Sequence, residues 1–448
     1  MMNETGQKLA KWGIEPPEIL LPRDISLGHW AAIACDQFTQ DRSYWDRAAA
    51  AADVRPSALN LIFPEAFLAD GDRERRIADI HRSMRHYLDS GVFAPERRGF
   101  VYLERDTPFN RGRRGLVAAV DLERYDWLPT ARPLIRATEG TVAERLPPRM
   151  DTRRNAPLET QHILLLIDDD TDTLLPAIGE RAKKNPPVYR GGLMLDSGSA
   201  SGWLLDAGDD WNLLAERLEE LAQRALTRYA TGGNGGEEPF LFAVGDGNHS
   251  LASAREIWEE YKKAHVFTAA GTAHNHPCRY ALVEIENIYD PAITFEPIHR
   301  VVFNLGFDQT LALLSALPGF SNRTLASRKE MSALVAEPVS GNRFGIVSGN
   351  RCALAETSAG GISTACLQPL LDSAAGGTVT VDYIHGEEEL FRIAANGAAA
   401  ATGILLPPVL KAGFFETIAR CGPLPRKSFS MGEACEKRFY VECRKLFG

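Results

Sequence analysis

"FLFAVGDGNHSLASAREIWEEYKK", residues 240–263, decides how the chain is read. Phe240–Val244 is a short apolar run of strand type, and from Leu251 to Lys263 apolar residues recur at helical spacing. Between them lies Gly245-Asp246-Gly247-Asn248-His249-Ser250. Its two glycines permit backbone geometry closed to other residues, and its polar side chains all form hydrogen bonds. A helix beginning there presents unpaired N–H groups and partial positive charge, which stabilise an anion such as phosphate without any side chain. The purely structural alternative is a capped turn, with Ser250 or Asn248 as the cap. If Ser250 caps, Asp246 and His249 are left over for chemistry. They form the candidate catalytic pair, Asp246 binding Mg²⁺ or acting as base and His249 exchanging a proton.

Around this unit the same alternation continues. GFVYLERDT and GLVAAVDLERY read as a hairpin about the basic tip NRGRRG, and HILLLIDD as a central strand that is apolar on both faces. RERRIADIHRSMRHYLDS (73–90) and DDWNLLAERLEELAQRALTRYA (209–230) carry apolar stripes of helical period, the second opening on an Asp cap. GGNGGEE after it reads as a surface loop, and residues 21–45 as loops near a site. CRYALVEIENI and PIHRVVFNL are strand-like, and LALLSAL, RFGIVSG, TVTVDYIHG and ELFRIAANG alternate helix and strand patterns. The expected fold is a mixed α/β (α+β) architecture in two lobes. Residues 1–304 would carry the strand-turn-helix anion site and 305–448 a second mixed lobe.

Composition narrows the function. A chain of 448 residues outgrows a single core, which favours the two lobes. Hydrophobic residues at 44% and charged residues at 24% describe a globular protein rather than a disordered one. The net charge of −9 and the lack of any long Lys/Arg block argue against nucleic-acid binding. Apolar runs are far shorter than the roughly 20 residues that span a bilayer, so no membrane partner is expected. The N-terminus lacks the apolar core of a secretory signal, and the seven scattered cysteines include no CxxC pair. Both point to a cytoplasmic chain with reduced thiols acting on a small molecule. The sequence sets no oligomeric state. It contains no GxxxxGK[ST], GxGxxG, GxSxG or HExxH motif, so the commonest phosphate-loop, dinucleotide, serine-hydrolase and zinc-protease sites are absent at motif level.

RPLIRATEGTVAERLPPRMDTRRNAPLE, residues 132–159, is the second candidate segment. Arg136, Arg145 and Arg149, with Glu139 among them, suit an oxyanion clamp, because the guanidinium fork matches phosphate and carboxylate. A solvated connection with scattered ion pairs is the alternative. Asp168-Asp169-Asp170 reads as a solvated turn before a helix over TLLPAI rather than an aspartyl nucleophile, since Asp172 stands where such enzymes want Thr or Val. His274 and His276 have a metal-ligand spacing, but Pro277 makes a loop of them. His299 and Arg300, at the opening of an apolar strand, are further candidate binding residues.

The motifs IACDQFTQDRSYW, RATEGTVAERLPPR, LLLIDD, VGDGNHSLASAREIWE, HPCRYALVEIENIYDP, EPIHRVVFN and PRKSFSMGEACEKRFY resemble those of the bacterial and archaeal family known as domain of unknown function 1015. Many members carry Asp-Gly-His-His-Arg at the turn. That form is similar to the phosphate-binding turn of the ParB and sulfiredoxin superfamily, which includes nucleotide-dependent enzymes and a kinase acting on free serine. The resemblance implies a nucleotide and a small substrate, an amino or hydroxy acid phosphate linked to serine metabolism. Ser250 replaces the Arg here, so the contact that the Arg would make either comes from elsewhere, with the Arg136–Arg153 loop as the candidate, or is absent. Three readings follow: a phosphotransferase or phosphohydrolase of a small phosphorylated metabolite, a non-catalytic nucleotide or metabolite sensor, or a scaffold without a ligand.

Overall fold

The computed structural model describes residues 4–160, 163–229, 238–265, 276–375, 378–395 and 401–447. The chain divides into two compact units, Met1–Ile293 with Glu433–Gly448, and Thr294–Gly432. This differs from the boundary expected at 304. The strand Phe295–Phe303 belongs wholly to the second unit, and the last residues of the chain return to the first.

The first unit is built on a ten-stranded mixed sheet among the described residues. The expected hairpin is present as Phe100–Asp106 paired antiparallel with Arg113–Asp121, in the register Val101↔Val117. Ile163–Ile167 is central, parallel to Tyr280–Asn287 on one side and antiparallel to Phe242–Asp246 on the other, and every one of its residues is buried. Such double coverage explains its uninterrupted apolar sequence. Beyond Phe242–Asp246 the sheet continues to Ile135–Arg136, which places the start of the Arg-rich segment beside the strand that leads into the polar turn.

Helix Asn248–Ala264 buries Leu251, Ala254, Ile257 and Trp258, a stripe at three- and four-residue spacing. Helix Pro147–Arg153 packs against it. Helix Gly208–Tyr229 covers the core with Leu214, Leu218 and Leu221; Asp209 and Asp210 lie inside its first turn rather than capping it. The C-terminal Phe439–Tyr440 pairs with Ala32–Ile33, and Cys443–Lys445 with Leu158–Thr160.

The second unit has a seven-stranded sheet among the described residues, with Asn342–Ser348 between Arg351–Thr357 and Thr402–Leu405. Helices Phe307–Leu314 and Glu387–Ala395 fall where the sequence pattern placed them. No helix among the described residues is long and apolar enough to cross a membrane. All seven cysteines are free thiols.

Candidate functional site

The turn after Phe242–Asp246 is made by Gly247, whose φ of +89° lies in the left-handed region and which is the N-cap of helix Asn248–Ala264. Ser250 is therefore not the cap; it sits in the first helical turn, 8% exposed. The opening amides of the helix, at Asn248 and His249, lie ahead of the first intrahelical bonds. These placements make two expectations. Gly247→Ala should cost about 1–2 kcal/mol, because a Cβ is disfavoured in the left-handed region. Ser250→Ala should stay within about 0.5 kcal/mol of the parent, where loss of a cap would cost about 1 kcal/mol. Urea unfolding of both variants separates the two assignments.

The 136–142 segment is laced to this turn. Thr138 N donates to Asn248 Oδ1 at 3.2 Å and Thr138 Oγ1 donates to Val244 O at 2.6 Å. Val142 N donates to His249 Nε2 at 3.2 Å, which requires a lone pair on Nε2 and leaves the ring proton on Nδ1 in the neutral form. Part of the proton-exchange capacity expected of His249 is thus occupied in holding the loop.

Asp246 has a partner that the sequence reading missed. Its Oδ2 lies 2.5 Å from Nη1 of Arg438, a fully buried side chain, and Oδ2 of Asp36 lies 3.7 Å from Nη2 of the same guanidinium. Burial would lower the Arg438 guanidinium, but the two carboxylates outweigh it and hold it above its ordinary value. Burial likewise raises the Asp36 carboxyl, while Arg438 and the Gln37 side chain bring it below the usual carboxylate range. Lys437 is pulled down by burial against the attraction of Asp246. Ala34 N donates to Arg438 O at 2.9 Å, so the two chain segments that bring Asp36 and Arg438 together are themselves bonded. Asp246 is therefore a structural residue as well as a chemical candidate, and not simply left over for chemistry as the sequence suggests.

Ser250 also lines a cavity of about 110 Å³ together with Arg149, Glu65, Cys35 and Thr160. Arg149 is ion-paired with Glu65 at its edge, and burial pushes the Glu65 carboxyl up against the pull of that arginine. Burial also pushes the Cys35 thiol up to about 12, which makes it a poor nucleophile.

The other expected site residues are distributed differently. Arg136 is buried, donates from Nε to Pro133 O at 3.1 Å and stacks over Phe240, so its guanidinium is held by the scaffold. Arg145 is exposed and Glu139 half-buried. His299 and Arg300 belong to the second unit and are taken up in its interior. Nδ1 of His299 accepts from Leu406 N at 3.1 Å, and burial, with Arg300 and His385, lowers its imidazole to about 4. Arg300 donates to Gln368 and lies over the Tyr383 ring. Asp169 is buried rather than solvated, accepting from Thr173 N and Leu174 N at the start of the next helix and pairing with Arg224. His276 accepts from Cys278 N, while His274 and the 230–237 stretch lie outside the described residues.

No cluster of three or more His, Cys, Asp or Glu among the described residues could hold a metal. Asp246 and Asp36 are both engaged by Arg438, so they do not form an all-protein Mg²⁺ site.

The model of the family described as protein of unknown function DUF1015 matches residues 16–374. The chain belongs to the DUF1015 family. In this DUF1015 protein the match ends before Arg438. No curated protein matches the chain. Among solved structures it is similar to a free serine kinase in complex with AMP, with 11% identity and a TM-score of 0.37, covering 74% of this chain and 92% of that one. A conserved hypothetical protein from Pyrococcus furiosus is 12% identical, with a TM-score of 0.35 and coverages of 74% and 95%. SbnI with a C-terminal truncation, from Staphylococcus aureus, is 10% identical, with a TM-score of 0.35 and coverages of 72% and 85%. Likenesses this distant leave the function to be argued from the site's own chemistry.

Proposed function

We propose that the first unit binds a small phosphorylated molecule at the start of helix Asn248–Ala264 and transfers or hydrolyses its phosphoryl group. The observation that carries this reading is Ser250. The hydroxyl of Ser250, a residue only 8% exposed, stands in the first turn of that helix and lines the same cavity as Arg149. A hydroxyl in the first turn of a helix and beside an arginine is a donor set suited to an anionic ligand.

In this reading the amides of Asn248 and His249 hold phosphate oxygens, Ser250 donates to them and Arg149 balances charge from the cavity edge. Asp246, oriented by Arg438, accepts the proton of the attacking hydroxyl or water, and positioning and charge stabilisation do most of the work. The likeness of Gly245–Ser250 to the ParB and sulfiredoxin turn belongs here, supported by the strand, the left-handed glycine and the helix. A nucleotide as phosphoryl donor, Mg²⁺ carried on its phosphates, a substrate tied to serine metabolism and a cytoplasmic setting complete the specific form.

One observation favours the second reading, a sensor that binds without turnover. Both catalytic candidates are already engaged, His249 by Val142 and Asp246 by Arg438.

Phosphate release and transfer should be assayed with the pure protein across phosphorylated metabolites and nucleotides, with Arg149→Lys alongside. Turnover is expected, with kcat/KM reduced by the equivalent of about 1–3 kcal/mol in the lysine variant, which keeps charge and loses the fork. Binding without turnover selects the sensor. Neither binding nor turnover overturns the proposal.

A further inference from the structure

The cavity beside the proposed phosphate position is lined by two carboxylates, Glu65 and Glu159, and they are unequally served. Glu159 is closed by Arg153 and Arg444 together. Glu65 has one ion-pair partner among the described residues, Arg149, and both side chains of that pair are a fifth exposed or less. The backbone fixes its place, since Glu65 N donates to Cys35 O at 2.8 Å. Burial and the nearby Asp36 carboxylate both push the Glu65 carboxyl up, so this group already stands where positive charge is short.

A phosphate at the start of helix Asn248–Ala264 sharpens the shortage. A phosphomonoester carries about −1.5 to −2 charge at neutral pH, and Arg149 is the cation that balances it from the cavity edge. One guanidinium then serves two anions. Nη1 of Arg149 already donates to Arg145 O at 2.8 Å, which leaves the rest of its fork to be divided between Glu65 and the phosphate. Two anions sharing one site disfavour each other, so either Glu65 takes up a proton or the ligand brings a cation of its own. A proton would leave the remaining space unfilled. The cavity measures about 110 Å³, and Thr160 and Ser250 add hydroxyl oxygens to its lining, a surface suited to N–H donors. An aminoethyl arm, with three heavy atoms, is half the size of the benzene that a roughly 150 Å³ cavity accepts.

We infer that the ligand of this site is the phosphomonoester of a short amino alcohol, an amino acid included, whose ammonium group is held by Glu65. A hydroxy acid phosphate of the same length lacks that group and is discriminated against. This assignment rests on the phosphate position proposed above; it adds the charged group that accompanies the phosphate and the residue that selects it.

Calorimetry on the full chain near neutral pH tests it with 2-aminoethyl phosphate and n-propyl phosphate, which differ by an ammonium in place of a methyl group. The amine is expected to bind about tenfold tighter or more, the effect of one charge-assisted hydrogen bond. Glu65→Gln keeps the shape and an oxygen for Arg149. It should bring the two probes to equal affinity, with n-propyl phosphate bound no more weakly than by the parent. Should that variant fail to fold, phosphocholine is the second measurement: its nitrogen keeps the charge but has no N–H to donate, and in the parent it should lose the advantage over n-propyl phosphate. Equal affinity of the first two probes in the parent, or a preference that survives Glu65→Gln or the methylation, overturns the inference while the phosphate site stands. Binding of neither probe overturns both.

Discussion

Asp246→Ala is expected to lower the stability of the protein by about 3–5 kcal/mol, the cost of leaving a buried charge without its partner. Arg438 is fully buried, so its guanidinium has no water to turn to, and Asp36, 3.7 Å away, compensates only in part. Removing both charges is a different matter. The double variant Asp246→Ala with Arg438→Met should recover more than half of the loss, because an apolar side chain of similar length is easier to bury than an unpaired arginine. Urea unfolding measures both. A single variant within about 0.5 kcal/mol of the parent would show that the pair contributes little. The result also governs how activity is read at this position, since a dead alanine variant would report lost folding together with lost chemistry. Asp246→Asn, which keeps the shape and a hydrogen-bonding oxygen, is the better chemical probe.

The second large effect is on the pH dependence of stability. Glu442 is 1% exposed, and burial pushes its carboxyl up to about 7, with the Tyr189 hydroxyl at 2.5 Å opposing the rise and Glu284 adding to it. A carboxyl raised on folding holds its proton more tightly in the folded chain than in the unfolded one. Its contribution is complete below the unfolded value of 4.5 and is lost as pH climbs to about 7, so stability falls across that interval. The loss amounts to about 3 kcal/mol. Glu286, fully buried and pushed up by burial against the pull of Arg113, acts in the same direction. Unfolding at pH 5 and pH 8 should therefore show the parent weaker at pH 8. Glu442→Gln should remove most of the part that Glu442 supplies. An unchanged fall in that variant would assign the whole effect to other groups.

The strands and helices were legible because their apolar periods are local. HILLLI is apolar throughout since Ile163–Ile167 has a neighbour on each edge and cover on both faces. The helix after Gly247 shows its buried stripe directly in its spacing. The site was legible only in part, and the reason is sequence distance. Arg438 meets Asp246 and Asp36 across long stretches of the chain, and no local pattern pairs them. The one signal was that ACDQF and EKRFY, which hold Asp36 and Arg438, stood among the distinctive motifs while neither charge had a local purpose. The cap was misplaced for a related reason. Ser is a good N-cap by type, but a glycine with positive φ at 247 begins the helix three residues earlier and converts Ser250 from cap to cavity wall. Arg136 looks like a binding residue in sequence because its guanidinium fork suits an oxyanion, and His299 and Arg300 because they open an apolar strand, whereas all three are buried in the scaffold. The Phe240 and Tyr383 rings and the Leu406 amide supply the compensation that makes their burial tolerable.

The central claim is that an anion sits at the start of helix Asn248–Ala264. A crystal structure of the protein with methyl phosphate tests it most directly. The account predicts phosphate oxygens within hydrogen-bond distance of the Asn248 and His249 amides and the Ser250 hydroxyl, with Arg149 next to them. Phosphate bound elsewhere while this turn stays empty would contradict it.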